Sequence, residues 1–270
     1  MKKIALIVFS HGSVLPEAGQ LMDKHVQRLR ETGDFACVEA GYLNYSLPPI
    51  ETAVAVVMKA QPDVVVVVPY FLVSGKFVRE DLRPRFDSVA ACYPDTQFIL
   101  TPPLEDLAVM ERVVLELLPH AIPLTAWETE PTHAPPPQPA PLRPRTAVLL
   151  VLHGSPYEEA NAPARAMANQ MTQHGVADLV LATYLDCAEP TIAAAVEECV
   201  QRGFHQMVAV PWFLHMGKHI RKDLPRLFHQ AVARHPGATL AVTPPAGVAD
   251  AMAEVVRTRA LQAVAQMTGA

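Results

Sequence analysis

Short runs rich in β-branched residues alternate along the chain with longer segments whose apolar positions recur at helical spacing. The runs predict strands over 4–9, 36–42, 64–69 and 97–100, and again over 147–152, 178–184, 206–211 and 239–242, each followed by a helix. A run such as Val64-Val65-Val66-Val67-Val68 is apolar at every position rather than at every second one, as in a strand covered on both faces. The pattern therefore predicts an α/β fold with doubly wound parallel sheets.

The same pattern occurs twice. Val8-Phe9-Ser10-His11-Gly12-Ser13 matches Leu150-Val151-Leu152-His153-Gly154-Ser155 at an offset of 142 residues, and the segment from Pro69 to Lys76 matches Pro211 to Lys218 at the same offset. Asp81-Leu82 pairs with Asp223-Leu224, and Thr101-Pro102-Pro103 with Thr243-Pro244-Pro245, with no insertion between landmarks. The expected organisation is two similar domains from an internal duplication, 1–118 and 146–270. The stretch 119–145 crowds seven prolines between Pro131 and Pro144 and is expected as an extended linker that packs neither as helix nor as sheet.

Composition narrows the classes. Twenty-two basic against 27 acidic residues leave a net charge of −5, so there is no bulk electrostatic case for nucleic acid or an anionic membrane. The basic, apolar start breaks at His11-Gly12-Ser13 with no cleavage site after it, and reads as a buried first strand rather than a signal peptide. No run reaches the length of a membrane-spanning helix. Cys37, Cys92, Cys187 and Cys199 form no CxxC pair, which fits a reducing cytoplasm and argues against an iron–sulfur cluster. Self-association is left open, a monomer being compatible with the sequence.

In open parallel sheets the ligand crevice lies beyond the carboxyl ends of the strands. In the second repeat the residues there are His153 after the first strand, Asp186 after the second and His219 after the third. Two imidazoles and a carboxylate can bind a borderline divalent cation and leave coordination positions open. The same groups accept protons near neutral pH, which suits a reaction that exchanges two protons for one metal. A single histidine at such a place is ordinarily a structural side chain satisfied by a loop carbonyl. Three candidates after successive strands reverse that balance. For Asp186 the structural alternative is capping of the helix that starts near Pro190.

The first repeat serves as an internal comparison. His153 corresponds to His11, Asp186 to Asn44 and His219 to Phe77, so two of three candidate ligands are missing there. One working site is expected, in the second repeat, with His11 a structural relic or a substrate contact. Ser155 belongs to the same loop as His153. His215, one helical turn from His219 if that loop is helical, is open to ligation, substrate contact or neither. Gly75 and Gly217 are expected to permit tight loops, with close approach of a flat ligand as the alternative. Basic residues gather after the third strand of each repeat, at Lys76, Arg79, Arg83 and Arg85 and at Lys218, Arg221, Lys222 and Arg226. Most read as a solvated helix face, whereas Lys218 and Arg221, beside His219, can pair with carboxylates of a polyanionic substrate. No Gly-x-Gly-x-x-Gly follows a strand and no Gly-Lys-Ser/Thr is present, so no nucleotide cofactor is expected.

His-Gly-Ser after the first strand, Tyr184-Leu185-Asp186-Cys187-Ala188-Glu189-Pro190 after the second, and the segment Pro211-Trp212-Phe213-Leu214 through Gly217-Lys218-His219-Ile220 to Asp223-Leu224-Pro225 after the third resemble the sirohydrochlorin chelatases of the CbiX and SirB type, the class II chelatases. The spacings of 33 and 66 residues from His153 to Asp186 and to His219 are similar to that family's His, acidic residue, His arrangement. The resemblance implies two lobes with a tetrapyrrole cleft between them. It also implies ATP-independent insertion of Co²⁺ or Fe²⁺, with Ni²⁺ a third candidate, into sirohydrochlorin or a close relative, in cobalamin or siroheme biosynthesis. By position it assigns metal binding and proton acceptance to His153 and His219, and places Asp186 where the family often has Glu. Two rival readings use the same residues: a non-catalytic carrier of metal or tetrapyrrole, and a metal-dependent hydrolase, which further needs an activated water and an oxyanion-stabilising group that the sequence does not display.

Overall fold

The computed structural model describes residues 2–14, 16–72, 81–104, 108–127, 145–215 and 217–268, without the side chains at 16, 17, 218–220 and 268. In chain order the elements are β1 (Ile4–Ser10), α1 (Pro16–Glu31), β2 (Cys37–Tyr42), α2 (Ile50–Met58), β3 (Val64–Pro69), α3 (Arg83–Ala90), β4 (Gln97–Leu100) and α4 (Met110–Leu117). They continue with β5 (Ile122–Pro123), α5 (Leu124–Trp127), β6 (Thr146–Leu152), α6 (Glu158–Gln173), β7 (Leu179–Tyr184), α7 (Ile192–Gln201), β8 (Gln206–Pro211), α8 (Lys218–Val232), β9 (Thr239–Val242) and α9 (Ala251–Thr268). All eight strands read from the sequence are present, displaced by a residue at most at either end.

One sheet runs β2-β1-β3-β4 with every pairing parallel. The other runs β5-β9-β8-β6-β7, parallel except that β5 pairs antiparallel with β9 at its edge. Ala5, Ile7 and Phe9 of β1 join α2 and α3 in one core through Ile50, Val54, Val57 and Phe86, with Leu82 just ahead of α3. Leu6 and Val8, which point to the other face, are equally inaccessible, so both faces of the sheet are covered.

The chain divides into two compact units, Met1–Val109 with Met252–Ala270, and Met110–Ala251. These are not the segments 1–118 and 146–270 expected from the repeat. The helices α4 and α9 hold equivalent places in the two repeats, yet each belongs to the unit built on the other repeat's sheet. In the first unit Arg257 of α9 donates to Asp34 at 2.5 Å. In the second, the Glu116 carboxylate on α4 accepts from the Asp250 and Ala251 amides at 2.7 and 2.8 Å, capping the N-terminus that α9 presents there.

The expected linker also begins later than its composition suggested. Leu124 and Trp127 are buried in the core around β6 and α8, Trp127 meets the Phe228 ring edge-on at a centroid distance of 6.4 Å, and its Nε1 donates to the Thr243 carbonyl at 3.2 Å. The apolar residues ahead of the proline cluster pack; the rest of that stretch, 128–144, lies outside the described residues. No helix among the described residues is long and apolar enough to cross a membrane. All four cysteines are free.

Candidate metal site of the second unit

From β6 the chain moves outward to β7 and then returns to β8 on the opposite side of β6, which opens a crevice at the carboxyl ends of β6 and β8. His153 follows β6 directly, Asp186 lies just beyond β7, and α8 begins at Lys218 beyond β8. The first two loops are joined through their backbones. The Leu185 amide donates to the Leu152 carbonyl at 2.9 Å, and the Asp186 amide to the His153 carbonyl at 3.1 Å. The first unit repeats this joint, Leu43 to Ser10 at 3.0 Å and Asn44 to His11 at 2.9 Å.

The glycine of each His-Gly-Ser motif is what lets the loops meet. Gly154 has φ +93°, and a Cβ built there would stand 1.9 Å from the Asp186 carbonyl oxygen; Gly12 has φ +84° and the corresponding distance to the Asn44 oxygen is 1.8 Å. Both a left-handed conformation and the absence of a side chain are needed. The residue after each acidic or amide position, Cys187 or Tyr45, is also left-handed, with φ of 60° and 59°. The two repeats thus share one backbone here and differ in what it carries.

His153 and Asp186 are both exposed. One Asp186 carboxylate oxygen accepts from the Cys187 amide at 2.7 Å, and a carboxylate has a second oxygen to offer a cation. The capping role is taken by Thr191, whose hydroxyl accepts from the Ala194 amide at 3.3 Å, so Asp186 is not used for it. Desolvation, and then the neighbouring Asp186 charge, push the Cys187 thiol upward, so at neutral pH it presents S–H rather than thiolate.

His219 sits in the first turn of α8, and its side chain lies outside the described residues, as does that of Lys218. Among the described residues no three His, Cys, Asp or Glu side chains form a ready cation site. His215 is exposed in a bend ahead of α8, so it does not share a helix face with His219. Ser155 is half-buried, and its hydroxyl accepts from the Tyr157 amide at 3.1 Å. Arg221 is half-buried, with its Nε shielded from solvent and making no hydrogen bond among the described residues.

In the first unit His11 is partly buried, with Nδ1 3.4 Å from the Gly12 carbonyl oxygen and its ring centroid 5.6 Å from that of Tyr45. Phe77, Gly75, Lys76 and Arg79 lie outside the described residues. The expectation for Gly217 is corrected: its φ of −69° is open to any residue, and a Cβ there would meet nothing within 4 Å among the described residues, so its backbone conformation does not require glycine. The solvated-face reading of the basic residues is met by Arg83, paired with Asp87 at 2.9 Å, and by Arg226, 3.8 Å from Asp223. Arg85 instead donates to the Leu43 carbonyl at 3.2 Å. Asn161 and Arg165 of α6, which reach the site loops, were missed; the available signal was that the first repeat has Gly19 and Asp23 at these positions.

The sequence profile of the CbiX family matches residues 5–121 and 147–263. The chloroplastic sirohydrochlorin ferrochelatase of Arabidopsis thaliana is 28% identical over 122 residues, 45% of this chain and 54% of that protein. A sirohydrochlorin cobaltochelatase of Methanopyrus kandleri is 34% identical over 79 residues, 29% of this chain and 55% of that protein. The chain spans about half the length of these two curated relatives. Among solved structures, SirB from Bacillus subtilis with Fe3+ superposes with a TM-score of 0.77 over 99% of this chain and 98% of that one, at 17% identity, a likeness of fold.

Proposed function

This chain belongs to the CbiX family, and on that footing we propose that it catalyses insertion of a divalent metal, Co²⁺ or Fe²⁺, into sirohydrochlorin or a closely related tetrapyrrole. The observation that carries the proposal is the backbone joint that sets His153 beside Asp186 at the carboxyl end of β6, in the repeat that retains a carboxylate and a third-loop histidine. Relatives described as cobaltochelatase and as ferrochelatase support the reaction class and leave the metal to experiment. Intrinsic affinities follow an order set largely by the cation, so the ligand set alone does not select one.

In this reading the metal is a substrate. His153 and His219 receive it together with Asp186, whose negative charge offsets part of the cation's. Insertion releases two pyrrole protons for each metal bound, and an imidazole is the side chain best matched to accept them near neutral pH. Lys218 and Arg221 pair with carboxylate arms of the macrocycle, so that binding far from the reacting nitrogens supports its distortion toward the incoming cation.

Anaerobic absorption spectroscopy of sirohydrochlorin with Co²⁺, Fe²⁺ or Ni²⁺ tests the proposal. The expected result is insertion over many turnovers above the uncatalysed rate, lost in His153→Ala and His219→Ala and retained in His11→Ala. Loss in His11→Ala alone would move the site to the first repeat. No acceleration with any metal would leave a carrier as the better reading.

A further inference from the structure

We infer that Asn161 and Arg165, one helical turn apart on α6, are positioning residues that hold the His153 and Asp186 loops against each other, so that the ligands are set before the cation arrives. The inference rests on the reading of His153 and Asp186 as metal ligands.

Asn161 is 3% exposed. Its Oδ1 accepts from the Ser155 amide at 3.0 Å while its Nδ2 donates to the Ser155 carbonyl at 2.8 Å, so both polar groups of one peptide position in the His153 loop are gripped by one side chain. The Tyr184 hydroxyl, at the end of β7, donates to the Asn161 carbonyl at 3.2 Å. Arg165 donates to that same hydroxyl at 3.3 Å and to the Glu189 carbonyl, in the loop that carries Asp186, at 3.2 Å. Its guanidinium also pairs with Glu158, two turns earlier at the start of α6. One helix face thereby holds the first loop through Asn161 and the second through Arg165, and Tyr184 links the two holds.

The first repeat lacks this arrangement. Gly19 has no side chain to reach its loop, and Asp23 stands where Arg165 does. There Ser13 is gripped from the loop after β2 instead: the Ser46 hydroxyl accepts from the Ser13 amide at 3.0 Å and donates to the Ser13 carbonyl at 3.2 Å. The counterpart of Ser46 in the second repeat is Ala188. Two different side chains, from different elements, make the same pair of bonds to the equivalent serine. The tether from the first helix accompanies the repeat that keeps the carboxylate, and residues that orient ligands rather than binding metal are worth roughly 10- to 100-fold in affinity or activity.

The interchangeable grips supply the test. Asn161→Ala, Arg165→Met and the double variant Asn161→Ala/Ala188→Ser are compared with wild type and with His153→Ala. The readouts are Co²⁺ affinity by calorimetry, kcat and KM for insertion into sirohydrochlorin, amide hydrogen exchange at Ser155 and thermal unfolding. Expected are a loss of roughly 10-fold or more in metal affinity and kcat for Asn161→Ala in folded protein, faster exchange at Ser155, and recovery of most of both when Ala188→Ser supplies the first repeat's grip. Wild-type affinity and kcat in Asn161→Ala beside an inactive His153→Ala overturns the positioning role alone, as does a loss that follows melting temperature and is not recovered by Ala188→Ser. A fully active His153→Ala overturns the site reading instead.

Discussion

Asp186 is bound to His153 through the backbone, its amide donating to the His153 carbonyl at 3.1 Å, and Asn44 holds His11 in the same way at 2.9 Å. The two repeats differ at this point by a charge and hardly at all in geometry. Asp186→Asn, which installs the first repeat's residue, is therefore expected to keep the fold within about 0.5 kcal/mol, as exposed substitutions do, while metal affinity falls at least 10-fold. Calorimetric titration with Co²⁺ alongside thermal unfolding checks both halves of the expectation.

Gly154→Ala places a methyl 1.9 Å from the Asp186 carbonyl at φ +93°, and Gly12→Ala does the equivalent at 1.8 Å from Asn44. Each is expected to lower stability by at least about 1–3 kcal/mol through strain in a left-handed residue. Only Gly154→Ala separates His153 from Asp186, so metal insertion measured below the melting temperature should be lost there and kept in Gly12→Ala.

Trp127 is 1% exposed in the core of the second unit, and its indole N–H is satisfied by Thr243. Trp127→Ala removes a large buried ring and orphans the Thr243 carbonyl, for an expected loss of about 3–5 kcal/mol in urea unfolding. A loss under 1 kcal/mol would mean that 122–127 is a tether after all.

Glu116→Ala removes the carboxylate that bridges the Asp250 and Ala251 amides. A lost N-terminal cap costs about 1 kcal/mol, which for a protein of this size lowers Tm by roughly 2–4 °C. Glu116→Gln keeps one acceptor and should fall between the two.

The Arg257 guanidinium holds the Asp34 carboxyl below its ordinary value of 3.8. A depressed carboxyl pKa contributes stability that is full above the unfolded value and is lost as pH falls through the folded one. Both side chains are about 30% exposed, which limits the pair to roughly 1 kcal/mol or less. Wild type should exceed Asp34→Asn by that amount at pH 6–7, and the gap should close below about pH 3.8, as followed by chemical unfolding across that range.

The strands were legible because a β-branched run such as Val64–Pro69 admits few other states, and the repeat because landmarks such as His11 and His153 keep one offset. The site loops followed from the rule that crevices open at strand carboxyl ends. What escaped was pairing at a distance. The buried positions of α4 or α9 record that each helix packs and not against what, so the exchange of helices left no mark in either repeat. Asn161 escaped because an Asn within a helix reads as surface until the peptide it grips is known. The start of the linker was misplaced because proline density outweighed the three apolar residues Ile122, Leu124 and Trp127 ahead of it.

The exchange of helices has a consequence for the order of assembly on the ribosome. The second unit is one unbroken stretch, Met110–Ala251, whereas the first is closed by Met252–Ala270, more than 140 residues after its sheet is complete. Vectorial synthesis ordinarily lets the N-terminal domain fold first. Here the last segment of the first unit emerges only after the whole of the second, and a chain stopped before α9 carries the four strands of its first sheet without the helix that completes that unit.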